Sequence, residues 1–184
     1  MLPLTWALSG CASPPPAGLR VPNTPLVAAG APPVDARQLI AAAPLTVFVF
    51  FSRDCHCLTV HEARLRDLYA TYQPRGVQIV MVDPEVRATP EIDAAEATRR
   101  GYPFRLFIDR GARLADALDA QYATYSVVVN REGRVLYRGG IDSDKSHLHN
   151  GSTPYLRDAL DDLLSGRPAR LGEAKTLGCS LEKW

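Results

Sequence analysis

Leu45-Thr46-Val47-Phe48-Val49-Phe50-Phe51, followed by Ser52-Arg53-Asp54 and then Cys55-His56-Cys57, is the stretch whose reading decides the fold. The first seven residues form a continuous apolar, β-branched and aromatic run, the pattern of a strand buried on both faces. After Cys57 the apolar spacing turns helical. Leu58, Leu65, Leu68, Tyr69 and Tyr72 share one face, with Arg64, Arg66 and Asp67 outside it. Gln73-Pro74-Arg75-Gly76 stops that helix. Two thiols therefore stand where a buried strand hands over to a helix.

Working outward, Val77–Val82 reads as a second buried strand, ended by Asp83-Pro84. Thr89-Pro90-Glu91 opens a helix with a capping hydroxyl, a proline at the first helical position and an acid in the first turn. Arg99-Arg100-Gly101 closes it with cations and a glycine. Phe104–Ile108 predicts a short strand, and Ala112–Tyr122 an amphipathic helix through Leu114, Leu118 and Tyr122. Ser126–Val129 and Arg134–Tyr137 flank Asn130-Arg131-Glu132-Gly133 as a β-hairpin. Thr153-Pro154 opens a last helix, with Leu156, Leu160, Leu163 and Leu164 facing inward and Gly166 closing it. Early strand–helix–strand units predict parallel strands with right-handed crossovers, and the hairpin adds antiparallel ones. The fold class is α/β, a three-layer fold with a central mixed sheet and helices on both faces.

Length and composition agree with one domain preceded by an irregular stretch. The chain has 184 residues, 46% hydrophobic and 22% charged, with a formal net charge of +1. No long block of one sign points to nucleic acid as a partner. No run of 18 apolar residues stands ready to span a membrane. The four cysteines are Cys11, Cys55, Cys57 and Cys179. Their uneven spacing argues against a pair of structural disulfides.

Residues 1–34 read differently from the rest. Leu2–Leu8 is a short apolar run, followed by Leu8-Ser9-Gly10-Cys11 and a Pro/Ala-rich stretch expected to stay extended or mobile. Leu-Ser-Gly-Cys resembles the lipobox of bacterial lipoproteins, although none of residues 1–10 is Lys or Arg. The resemblance implies a signal segment at 1–10, lipidation of Cys11, a tether at 11–34 and a domain at 35–184. It also implies an extracytoplasmic, periplasmic and lipid-anchored protein that meets the membrane only through the lipid on Cys11. Acyl chains contribute roughly 0.8 kcal/mol per buried methylene.

A buried strand, a short loop, a cysteine and then a helix resemble the thioredoxin superfamily. More closely, the chain resembles its exported redoxin subgroup, related to alkyl hydroperoxide reductase and thiol-specific antioxidant proteins. Three stretches carry the match: Phe50–Cys55, Val127–Gly139, and Leu156–Leu160 with Gly166-Arg167-Pro168. Gly178-Cys179-Ser180-Leu181 is similar to a tail found in some members. The resemblance implies thiol–disulfide exchange with a thiol- or disulfide-bearing protein, and a redox partner that resets the site. It implies no organic cofactor. It places substrate docking at Thr124 and Tyr125, just before the late strand. Two departures stand out. The family spacing is Cys-x-x-Cys, but only one residue separates Cys55 from Cys57. The family's cis-proline position holds Tyr125, for which a cis bond would cost about 2.5–4 kcal/mol. The family's peroxidase motif would need proline at Phe48 and threonine at Ser52, so a peroxidase is disfavoured.

At an ordinary thiol pKa only about 3% of a cysteine is ionised at pH 7. A helix N-terminus contributes roughly half a positive charge and lowers that pKa. Cys55 is therefore the expected nucleophile, assisted by His56 when protonated, with Cys57 or Cys179 as the resolving thiol. A competing reading is a Cu(I) or Zn(II) site. Cys57 and His61 are four residues apart on a helix, and His147-Leu148-His149 supplies two more imidazoles. This set resembles the copper-chaperone branch of the superfamily in ligand type but not in spacing. The plainer reading makes His61 a solvated helix residue and His147 and His149 an exposed loop. A third reading is a redox-inert binding module.

Overall fold

The computed structural model describes residues 18–184. The signal segment and Cys11 lie outside the described residues. In chain order the elements are β1 (Pro25–Leu26), β2 (Val34–Asp35), α1 (Ala36–Ala41), β3 (Leu45–Phe50), α2 (His56–Tyr72), β4 (Val77–Asp83) and α3 (Pro90–Arg100). They continue with β5 (Arg105–Ile108), α4 (Arg113–Ala117), β6 (Ser126–Asn130), β7 (Val135–Gly139) and α5 (Tyr155–Leu164).

Five strands form one mixed sheet in the order β5-β4-β3-β6-β7. β3 pairs in parallel with β4, and β4 with β5; β6 runs antiparallel to β3, and β7 to β6. β3 is central and buried at all six positions, which is why its sequence lacks polar alternation. Its end lies in register with Met81 and Val82 of β4, so Cys55 follows close behind the C-terminal edge of the parallel strands. α2 buries Leu58, Leu65, Leu68 and Tyr72, and Tyr72 donates a 2.9 Å hydrogen bond to Asp161 of α5. The arrangement is the expected three-layer α/β fold.

The stretch expected to be a tether reaching Asp35 behaves differently. From Leu19 on, it packs against the domain. Val21 and Leu26 are buried, and the backbone bonds to both sheet edges. Val21 N–H donates to Gly133 and Val135 N–H to Leu19 beside β7, while Val27 and Ile108 exchange two hydrogen bonds beside β5. A Pro/Ala-rich chain offers little area to bury. Two apolar anchors and a row of unpaired edge groups suffice to hold it, and the edges gain a cover. α1 was also missed. Asp35 caps it, with Gln38 closing a reciprocal capping box, a signal readable as Asp-x-x-Gln.

The helix expected over Ala112–Tyr122 is only one turn and a half. Ala112 and Asp119 adopt left-handed backbone conformations that bracket it. Leu114 and Leu118 are buried as the periodicity requires, but Tyr122 is exposed.

Candidate active site

Ser52–Cys55 makes a tight turn, in which the Cys55 N–H donates to the Ser52 carbonyl at 3.2 Å. Cys55 is the N-cap of α2, with extended backbone (φ −77, ψ 108), and its Sγ accepts the Leu58 N–H at 3.4 Å. Asp54, the acid before the helix, points outward and pairs loosely with Arg53. The turn is fixed from behind by Arg100. Its guanidinium, 6% exposed, donates to the Arg53 carbonyl at 2.6 Å and to Glu62 at 2.8 Å, and pairs with Glu96. Arg100 therefore does more than end α3.

The C-terminal tail completes the site. Residues 179–181 run antiparallel beside residues 121–123. Ala123 N–H donates to the Cys179 carbonyl at 2.9 Å, and Leu181 N–H to the Gln121 carbonyl at 3.0 Å. Val86 N–H donates to Glu182, and Lys183 pairs with Asp116. These straps bring Cys179 over the N-terminus of α2. The sulfurs of Cys55, Cys57 and Cys179 lie within 4.8 Å of one another, all three as free thiols.

The surroundings of the three sulfurs differ. Cys55 is 1% exposed and Cys57 5%, whereas Cys179 is half-buried. Burial, and then the hydrogen bond to Cys179, push the Cys55 thiol up to about 12. Burial and the proximity of Cys179 also raise Cys57. Burial works against a Cys179 thiolate too, but donors outweigh it: the Cys55 thiol, the Cys57 N–H and thiol, and the His56 N–H hold Cys179 below the ordinary thiol value. The α2 N-terminus thus favours charge on the tail sulfur more than on the two buried ones. Sequence spacing missed this because 122 residues separate Cys179 from Cys57.

Thr124 and Tyr125, expected to dock substrate, are buried at 2% and 8%. Thr124 has a left-handed φ of 76°, and every described peptide bond, that of Tyr125 included, is trans. Phe50 N–H donates to the Tyr125 carbonyl and Thr124 N–H to the Phe50 carbonyl, locking both residues onto β3. The backbone immediately before them is occupied by the protein's own tail.

The histidines do not form the expected metal set. Among the described residues, the cluster of His, Cys, Asp and Glu able to share an ion is Cys55, Cys57 and Cys179. His61 is 1% exposed rather than solvated. Its Nδ1 lies 2.7 Å from the Cys57 carbonyl and its Nε2 3.1 Å from Asp142 Oδ1, so both nitrogens are engaged. His147 and His149 are exposed, and His149 hydrogen-bonds Asp144. A helix spacing of four put His61 on the Cys57 side of α2, but Asp142 on the loop after β7 claims its ring.

That buried pair carries a pH signature. Burial opposes the imidazolium, yet Asp142 and the Cys57 carbonyl raise His61 above its ordinary 6.5. Burial likewise opposes the Asp142 carboxylate, yet His61, Arg64 and the Asp144 N–H lower it below 3.8. The His61 contribution is full below 6.5 and is lost as pH rises through the raised value. The Asp142 contribution is present above 3.8 and lost as pH falls. Both coexist between these limits. Asp142→Asn is expected to cost on the order of 3 kcal/mol at about pH 5, and less at about pH 8. Urea unfolding at the two pH values measures it; equal losses would remove His61 from the account.

A mixed five-stranded sheet of this order, with a cysteine-capped helix leaving its central strand, defines a thioredoxin-like protein with a thiol site. The chain belongs to the Redoxin family, whose model matches residues 16–150. Cys179 lies beyond that match. Among solved structures, an uncharacterized conserved protein from Geobacillus kaustophilus is 27% identical, with a TM-score of 0.78 and 92% of each chain covered. A hypothetical protein from Sinorhizobium meliloti is 22% identical, with a TM-score of 0.75, covering 91% of this chain and 94% of that one. A secreted Mycobacterium tuberculosis disulfide oxidoreductase is 14% identical, with a TM-score of 0.51, covering 61% of this chain and 80% of that one. No curated protein matches the chain.

Proposed function

We propose that this chain is an extracytoplasmic thiol–disulfide oxidoreductase in which Cys179, rather than Cys55, attacks. The observation that carries the reading is the convergence of three free sulfurs at the α2 N-terminus, with the tail sulfur the most exposed of them. The Cys179 thiolate attacks one sulfur of a partner protein's disulfide. An S–S bond forms to Cys179, the partner's S–S bond breaks, and the second partner sulfur leaves as a thiolate that takes a proton from solvent. Cys57 then loses its proton and attacks the Cys179 sulfur. The partner's first sulfur departs as a thiolate that takes up from solvent the proton Cys57 gave up, and a Cys57–Cys179 disulfide remains. The partner is reduced by two electrons and the protein is oxidised by two. Cys55 stays protonated and donates to the Cys179 sulfur throughout.

The lipobox-like Leu8–Cys11 supports a compartment in which such a disulfide persists, with Cys11 as the lipid attachment. Reduction of insulin disulfides by single-cysteine variants tests the roles. Cys179→Ser is expected to lose about 100-fold in rate. Cys57→Ser should accumulate a mixed disulfide on Cys179. Cys55→Ser should lose under about 10-fold, because serine also donates and is the better N-cap. An unimpaired Cys179→Ser, or an adduct mapped to Cys55, would overturn the assignment.

A further inference from the structure

We propose that the reduced protein binds one Cu(I) ion in a trigonal site made by the sulfurs of Cys55, Cys57 and Cys179. Two chain segments far apart in sequence deliver these three ligand atoms to within 4.8 Å of one another. With metal–sulfur bonds of about 2.3 Å, three ligands around an ion in their own plane stand about 4.0 Å apart. The thiols therefore need to draw in by under about 1 Å, from positions already fixed by the α2 cap and the tail straps.

The donor set selects the ion. Thiolates are soft ligands and favour Cu(I). A closed structural Zn(II) site wants four protein ligands, and among the described residues no histidine or carboxylate joins the cluster. His61 is spent on Cys57 and Asp142. Two of the three sulfurs are almost sealed from water, which suits an ion prone to oxidation. The site also tolerates the charge. The Leu58 N–H donates to Cys55 Sγ at 3.4 Å, and the cluster sits at the N-terminus of the 17-residue helix α2, the positive end of its dipole. Binding forms three Cu–S bonds and releases to solvent the protons the thiols still hold, with no change in oxidation state, so affinity rises with pH.

Binding needs the thiols reduced but not a disulfide partner, so this proposal and the exchange reading fail separately. The test is titration of the reduced full chain with Cu(I) buffered by the chelator bathocuproine disulfonate, with X-ray absorption on the product. The expected result is one ion per chain with three sulfur neighbours at about 2.3 Å. Cys179→Ser is expected to weaken binding about 100-fold. Gly178→Ala, which displaces the tail without removing a sulfur, should also weaken it. Wild-type affinity in Cys179→Ser, fewer than three sulfur neighbours, or displacement of the ion by Zn(II) would each overturn the site. Insulin reduction in the metal-free protein reads the exchange reaction independently.

Discussion

Gly178→Ala is expected to lower the rate of insulin reduction about 100-fold while leaving global stability within about 1 kcal/mol of the parent. A Cβ at Gly178 would overlap the Ala123 carbonyl oxygen and come within 3.0 Å of Thr124 Oγ1. The partner side of that contact has little room to yield. Thr124 N–H bonds to Phe50, and Phe50 N–H bonds back to Tyr125, so the opposing backbone is fastened to the central strand. The tail must move instead. Around Cys179 its hold on the body is a few backbone hydrogen bonds, the Lys183–Asp116 ion pair and one buried anchor, Leu181. Segments held this way open locally without unfolding the core. Cys179 would then leave the donors that stabilise its thiolate, and the attacking sulfur would no longer face Cys57. Small misplacements of reacting groups cost about 100-fold in rate. Insulin turnover and urea unfolding, run side by side, separate the two effects. Normal turnover with alanine at 178 would show that the tail is not the attacking segment.

The sequence disclosed the scaffold more readily than the chemistry. Strands β3, β4, β6 and β7 and helices α2, α3 and α5 fall where periodicity and capping residues place them, because each buries a continuous face or carries its own stop signal. Elements held by isolated contacts were illegible: the strap at 19–27 depends on two anchors and edge hydrogen bonds, which leave no period to read. The site divides the same way. Cys55 and Cys57 are legible because a buried strand and a helix flank them. The setting of the site is not, because it depends on which sulfur water reaches and on the third sulfur that the tail brings to the donors of α2. His61 looked like a free ligand until its partner Asp142, 81 residues away, came into view. Asp83 is legible as an acid at the end of an otherwise apolar strand, but its burial beside Asp93 is not.

That acid supports the last expectation: Asp83→Asn should make the protein more stable at about pH 8, with the gain shrinking toward pH 4. Asp83 and Asp93 are 1% and 2% exposed, and both line a cavity of about 260 Å³ that also reaches Cys55 and Cys179. Burial, then the charge of Asp93, push Asp83 up to about 8, and burial pushes Asp93 up to about 6 despite the bond to Asp83 and the charge of Arg53. Glu85 and Glu96 add to the repulsion around Asp93. Between 3.8 and about 8 the native protein therefore holds more protons here than the unfolded chain, and stability falls as pH rises through that window. Asparagine imitates the protonated acid. Its oxygen can keep accepting the Glu85 N–H, now at 2.8 Å, and its amide can donate to Asp93, whose Oδ2 has no partner. Each unit of displaced pKa corresponds to about 1.4 kcal/mol, so the gain at pH 8 is on the order of a few kcal/mol. Urea midpoints from about pH 4 to pH 9 decide it, parallel curves counting against the acid pair. With Asp83 holding its proton at neutral pH, the pair carries about one negative charge rather than two in the cavity that Cys55 and Cys179 also line. The native fold thus accepts a cost in stability at neutral pH to keep two buried acids side by side.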